Sequence, residues 1–256
     1  MSVSLPNIRK LFLPDPGYTI FDCDLSGADA QVVAWEAEDA PLKEAFRRGL
    51  KVHIMNCRDM FSDRVVGWSD EAIKESPLYK QNKQAVHATN YGSSARTLAQ
   101  ILGWTVIETE RFQSRWFAAH PGIRAWHRRT ELQLRTSRMV TNQFGYRRVY
   151  FDRIDALLPE ALAWVPQSTV ALVCFHGALA LRRHIPSLQL LVQVHDSLVF
   201  QIPSRLVTAT LPDVRRLLHT AVPYPDPLTI PWGLAASTKS WGDCEAMKWP
   251  EEKKAA

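Results

Sequence analysis

Four cysteines are scattered through the 256 residues, at Cys23, Cys57, Cys174 and Cys244, and no two form a CxxC pair. That spacing gives no zinc site and no disulfide framework, so reduced structural thiols are expected. The opening residues MSVSLPNIRK hold no apolar run of signal-peptide length. The greasiest stretch, around Ala161 to Leu181, is interrupted by Pro166, Gln167 and His176, which argues against a membrane span. A soluble, cytoplasmic protein with no membrane partner is expected. There is no internal repeat, and the one biased run is the charged tail Glu251 to Ala256, expected to fray. Nor is one sign of charge in large excess: the formal net charge is +5, too mild to name a partner by itself.

An apolar share of 46% is enough for a real core in one large domain or two small ones, so disorder is not expected. Charge is unevenly distributed. Between Arg111 and Arg153 ten arginines meet only Glu131 and Asp152, with Trp116, Trp126, Tyr146 and Tyr150 interleaved. This suits a polyanion track, and it equally suits a solvated basic helix face, because arginine forks serve carboxylates as well as phosphates.

The run YTIFDCD, Tyr18 to Asp24, alternates like a strand entered through the turn Pro14-Asp15-Pro16-Gly17. Ser26 fits an N-cap with Asp29 three residues on, which predicts a helix to about Asp39. Further helices are predicted over Leu42 to Arg48, Leu78 to Asn90, ARTLAQIL capped by Ser94 and ended by Gly103, and Glu108 to Arg138 with a break near Pro121-Gly122. Asn142 to Phe151 reads as a hairpin turning near Gly145. Ala156 to Arg183 reads as a buried apolar helix starting afresh at Pro166. Leu188 to Ile202 reads as a strand hairpin with His195-Asp196-Ser197 at its tip, Leu206 to Thr220 as a helix restarting at Pro212, and Leu228 to Ala236 as a last strand. The mixture predicts an α+β fold whose antiparallel sheet uses the strands at Tyr18, Leu188 and Leu228, with the helical block from Pro41 to Gly103 set apart.

One sheet could then bring Asp24, at a strand end, near Asp196, at a hairpin tip. Two adjacent carboxylates repel unless divalent cations lie between them, and such a pair can hold two magnesium ions for in-line phosphoryl displacement. Two unrelated surface aspartates fit the same facts. Lys83, His87 and Tyr91 recur every four residues and share one helix face, offering a cation, a flat ring and a phenol to a nucleotide. A solvated helix face has the same spacing.

Three segments in order resemble motifs A, B and C of family A DNA polymerases, the bacterial polymerase I and phage type: DCDLSGADAQVVAWEA from Asp22, KQAVHATNYGSSARTLA from Lys83 and QVHDSLVF from Gln193. HPGIRAWHRR from His120, FGYRRVYF from Phe144, PQSTVAL from Pro166 and the late TKSWGD resemble the connecting and closing segments, so nearly the whole chain is covered. The wording is closer in style to phage members, which would place the protein in a host cytoplasm. The resemblance implies an antiparallel palm sheet with packed helices and a helical fingers subdomain, a right-hand polymerase without its thumb. Residues 1–40 would be palm, 41–120 fingers and 121–256 palm again.

By position, the resemblance implies that Asp24 and Asp196, with the Leu25 carbonyl, hold two catalytic Mg2+ ions, Mn2+ being an acceptable substitute. Asp29 stands at the sugar gate. Lys83, counted with the catalytic residues, and Lys80 stand at the triphosphate of a dNTP, His87 at the stacking position and Tyr91 beside the templating pair. Gln167 and His195 stand at the primer end and minor groove, and Arg147 and Arg148 are assigned to primer-template DNA. The chain departs from the family at Ser197, where a second acid commonly follows the motif C aspartate, at Tyr79 in place of an arginine, at Asp29, one methylene shorter than the usual glutamate, and at His87. The function implied is two-metal nucleotidyl transfer by a DNA-directed DNA polymerase, with either a second polypeptide supplying thumb and exonuclease, as in a split polymerase, or the chain a truncated product. A non-catalytic replisome scaffold and a metal-dependent nuclease are the alternatives.

Overall fold

Strand β1 (Tyr18–Asp24) forms where β-branched and aromatic residues predict it. Gly17 closes the turn before it at a φ of +82°, and the Tyr18 N–H donates to the Asp15 carbonyl at 2.9 Å. The further strands in chain order are β2 (Met139–Thr141), β3 (Arg147–Val149), β4 (Gln189–Val194), β5 (Ser197–Pro203), β6 (Ala221–Val222), β7 (Leu228–Thr229), β8 (Leu234–Ser237) and β9 (Glu245–Met247). The helices are α1 (Ala28–Glu36), α2 (Ala40–Arg47), α3 (Val52–Met60), α4 (Asp70–Glu75), α5 (Pro77–Asn90), α6 (Ala95–Leu102), α7 (Val106–Ala119), α8 (Pro121–Ser137), α9 (Ile154–His184) and α10 (Val207–Leu217). The computed structural model describes residues 6–152 and 154–250, so the predicted fraying of the tail from Glu251 lies outside the described residues.

The chain divides into two units, Met1–Ala28 with Thr169–Ala256, and Asp29–Ser168. The first is built on an antiparallel sheet ordered β4-β5-β1-β8-β9. Strand β1 lies in the middle, bonded on both sides, so Ile20, Phe21 and Cys23 are all fully buried. The register sets Phe21 opposite Phe200, their rings stacked at 5.4 Å, and sets Asp24 opposite Ser197. The second unit is helical. Its α5 is capped by Ser76, and its C-terminal end is pinned by two polar contacts, Trp116 Nε1 donating to Asn90 Oδ1 at 2.8 Å and His127 Nε2 bonded to the Asn90 carbonyl at 2.7 Å. A capping box at Thr105 and Glu108 starts α7, and Gly103 ends α6 at a φ of +69°.

The α+β class holds, and several predicted boundaries are corrected. Helix α1 begins at Ala28, after Gly27 at a φ of +60°, two residues past the predicted Ser26 cap. The hairpin of β2 and β3 starts at Met139, three residues before the predicted Asn142, with Gly145 in its loop. Helix α9 runs through Pro166 without restarting and has Pro159 inside as well, and α10 likewise runs through Pro212. An interior proline costs about 3 kcal/mol. In α9 that cost is offset by burial of Leu157, Leu162, Val165, Val170 and Val173. By length and composition α9 could cross a membrane, but half of its apolar stretch is buried within the protein, the pattern of a core helix. The predicted last strand is two: β7 pairs with β6 in a small sheet of its own, and only β8 joins the main sheet. Pro231 between them has no N–H to continue a ladder.

Candidate active site

Strands β4 and β5 are joined by the two-residue tip His195-Asp196, with Val194 paired to Ser197. Because Ser197 lies opposite Asp24, the tip delivers Asp196 to the end of β1. The Leu25 N–H donates to the Asp196 carbonyl at 3.0 Å and locks this arrangement. His195 takes a φ of +54°, a left-handed conformation costing roughly 1 kcal/mol in a residue with a Cβ. The Asp24 carboxyl is pushed up to about 6, by partial burial first and by the Asp196 charge second, with Asp22 adding to it and His195 opposing. The two carboxylates predicted to meet do meet.

Among the described residues no group of three or more His, Cys, Asp and Glu side chains stands as a metal cluster. Magnesium does not require one, since it keeps several waters and binds through one or two carboxylates plus substrate phosphates. Around Leu25, the Ser26 N–H donates to the Pro231 carbonyl at 2.9 Å and the Gly233 N–H to the Asp24 carbonyl at 2.7 Å, which fixes the backbone next to the pair. Two mutually repelling carboxylates held this way fit a divalent ion brought in with a phosphate.

A third acid, Asp22, sits on the same face of β1, two residues before Asp24. Trp241 Nε1 donates to it at 2.6 Å, the Ser197 hydroxyl donates to it, and Arg9 lies 3.8 Å away and 4.5 Å over the Trp241 ring. Ser197, the departure noted in motif C, is therefore bound to an acid on the neighbouring strand. Asp22 opens the first motif, and its i, i+2 spacing from Asp24 is the sequence signal that places both on one face of the strand.

In the helical unit, Lys80, Lys83 and His87 are exposed on α5, whereas Tyr91, its C-cap, is buried. The stripe is thus two-sided: His87 and Tyr91 meet edge to face at 4.4 Å, but the phenol turns inward. Burial first, and the Asp29 carboxylate second, hold the Tyr91 hydroxyl well above the usual phenol range. Among the described residues neither that hydroxyl nor Asp29 Oδ1 has a hydrogen bond of good geometry, although the Asp29 carboxylate lies close enough to act on the phenol. Gln167 and, in the sheet unit, His195 are exposed. Of the two hairpin arginines, Arg148 is paired with Glu160 and lies 5.0 Å over Tyr150, whereas Arg147 is exposed with no such partner among the described residues.

His53 on α3 carried no sequence signal, being a lone histidine on a helix that composition did not resolve. Its Nδ1 is buried with no hydrogen-bond partner among the described residues, and its ring stands 6.4 Å from Tyr79. Burial, then the charges of Lys83 and His87, push its pKa down to about 4. An unfolded histidine titrates near 6.5, so between pH 6.5 and 4 the unfolded chain takes up a proton that the folded chain refuses. Stability present above the upper value is lost as pH falls through this window, by about 3 kcal/mol. His53→Gln is expected to remove that part of the pH dependence in denaturant titrations; a profile identical to the parent's would rule the assignment out.

The family model for DNA polymerase family A matches residues 3–243. "DNA polymerase I, thermostable" of Thermus filiformis is 30% identical over 239 residues, covering 89% of this chain and 28% of that protein. The DNA polymerase of Mycobacterium phage D29 is 24% identical, covering 92% of this chain and 37% of the relative. The chain thus spans roughly a quarter to a third of the length of these relatives. Among solved structures, the POL domain of Pol1 from M. smegmatis, in complex with DNA primer-template and dNTP, superposes with a TM-score of 0.78 at 23% identity, covering 95% of this chain and 44% of that one. That likeness is one of fold, and with the family match over nearly the whole chain it establishes that this protein belongs to DNA polymerase family A.

Proposed function

We propose that the chain carries the nucleotidyl-transfer site of a DNA-directed DNA polymerase, joining a dNTP to a primer 3′-hydroxyl opposite a DNA template. The observation that carries this reading is the juxtaposition of Asp24 and Asp196 at the end of one sheet. Relatives bearing polymerase names, and a similar fold bound to primer-template and dNTP, support it. Residues 1–40 and 121–256 would act as palm and 41–120 as fingers.

Asp24, Asp196 and the Leu25 carbonyl would hold two divalent ions, whose chemistry is to stabilise the attacking and leaving oxygens. Lys83 and Lys80 neutralise the triphosphate, and His53 adds a third group, because a buried neutral imidazole gains its proton when an anion replaces water beside it. His87 stacks on the incoming base. Gln167 and His195 test minor-groove acceptors common to all correct pairs, which gives fidelity without sequence preference. Arg147 takes a backbone phosphate, and Arg148 joins it only by releasing Glu160. Catalysis is then positioning and charge stabilisation rather than covalent chemistry.

A polymerase grips its duplex through many phosphate contacts, and losing them lowers affinity steeply with salt. Primer extension by this chain should be distributive, strongest at low salt, and enhanced by a thumb-bearing polypeptide. Extension assays with and without such a fragment test the reading. Absence of template-dependent extension in both would reject it. Such an enzyme would work on DNA in the cytoplasm, a host's cytoplasm if phage-encoded.

At the gate, Asp29 leaves one methylene unfilled, and a methylene in a pocket discriminates by about 10- to 200-fold. Asp29→Glu is expected to raise the ratio of dNTP to rNTP incorporation by about tenfold. An unchanged ratio in single-turnover incorporation would remove Asp29 from the gate.

A further inference from the structure

A second cavity, of about 340 Å³, lies in the helical unit on elements other than the α5 stripe. Its floor is a ring cluster: Phe61 and Phe112 are buried and Trp104 is half-buried, with centroids 6.0 Å (Phe61 to each of the others) and 5.6 Å (Trp104 to Phe112) apart. The Trp104 indole N–H finds no acceptor among the described residues. Three exposed arginines line the cavity above these rings. Arg64 lies 5.7 Å over Phe61, and Arg111 makes no hydrogen bond among the described residues. Arg115 donates to the Met60 carbonyl at 3.3 Å and the Ser62 hydroxyl at 3.1 Å, leaving three of its five N–H donors. Of the two acids at the rim, Asp63 and Glu108, the latter is committed to its capping box, accepting from the Thr105 N–H and hydroxyl.

Flat rings under guanidinium forks suit a ligand that alternates open base faces with phosphates, which is single-stranded nucleic acid. Duplex DNA offers no free base face, and a peptide of acidic residues alone has no ring to set on the indole. His53, beside Lys83, and Met60, at the cavity, are seven residues apart on α3, about 10 Å at 1.5 Å per residue, or about three nucleotides along a strand. We infer that this cavity binds unpaired DNA, and, resting on the polymerase reading above, that the strand is the template a few nucleotides ahead of the incoming dNTP.

The test is anisotropy of a short labelled oligo(dT) titrated with the full chain over a range of salt. Arg64→Gln combined with Arg111→Gln, both at exposed positions, is expected to weaken binding about tenfold and to reduce the salt slope by about 1.4, two phosphates at 0.7 each. Trp104→Leu is expected to weaken it about tenfold through lost stacking. Photocrosslinks from iododeoxyuridine in the oligonucleotide should fall on residues 104–115. Unchanged affinity in the arginine variant, crosslinks confined elsewhere, or variant-sensitive binding of polyglutamate with none of oligo(dT) would overturn the inference. Lys83→Ala separates the two readings: it should abolish primer extension while leaving oligo(dT) affinity intact. Pocket-dependent oligonucleotide binding by a parent chain that extends no primer, alone or with a thumb-bearing fragment, would sink the polymerase reading and leave single-strand binding standing.

Discussion

Asp196→Ala is expected to lower template-directed primer extension by at least about a thousandfold, roughly 4 kcal/mol of transition-state stabilisation. The carboxylate sits on a two-residue tip held by the Leu25 N–H, and no other acid on that tip can replace it, since Ser197 is engaged with Asp22. The same substitution should not destabilise the fold. Asp24 titrates at about 6 instead of 3.8, so the folded chain holds that proton more tightly, and stability is lost as pH rises from 3.8 to 6. At pH 7 the unprotonated pair costs about 1 kcal/mol after allowance for solvent screening at this half-exposed site. Burial is the first cause of that cost and the Asp196 charge the second, so removing Asp196 relieves only the repulsive part, and an inactive variant at least as stable as the parent at pH 7 is the expected result. Magnesium should raise the melting temperature of the parent and not of the variant. Retained extension, or unfolding of the variant, would sink the assignment.

Gly122→Ala is expected to destabilise the protein by about 3 kcal/mol or more. A Cβ at this position would lie 2.3 Å from the Ala37 carbonyl oxygen and 3.3 Å from its carbon, both backbone atoms that no rotamer change can move. The junction on either side is rigid. Asp39 Oδ1 accepts from the Leu42 N–H to cap α2 while its Oδ2 bonds His120 Nδ1 at 3.0 Å, and both side chains are buried. Urea denaturation of the purified variant gives the measurement. A change below about 0.5 kcal/mol would show that the two turns part more easily than this packing implies.

Much of the site was legible locally. Asp24 at the end of an alternating run, the hairpin tip at Asp196, the four-residue spacing of Lys83 and His87, and the three motifs in order all appear without knowledge of contacts. Tyr91 shares that spacing, yet it is buried against Asp29, because a residue at a helix C-cap leaves the helical face. His53 and Arg64 were invisible, since a lone histidine or arginine has no periodicity to betray it. The restart predicted at Pro166 failed because the local cost of a proline is smaller than the burial gained by keeping α9 whole.

Fold class and the placing of Asp24 at a strand end and Asp196 at a hairpin tip therefore followed from the order and period of residues along the chain, where backbone geometry dictates which side chains share a face, while the family followed from the resemblance of three motifs in order. Which acid Ser197 serves, whether Arg148 is available, why residue 122 must be glycine and where three arginines close over a ring cluster were decided by tertiary packing. These depend on residues far apart in sequence, and their distances are set only when strands and helices bury their apolar faces together.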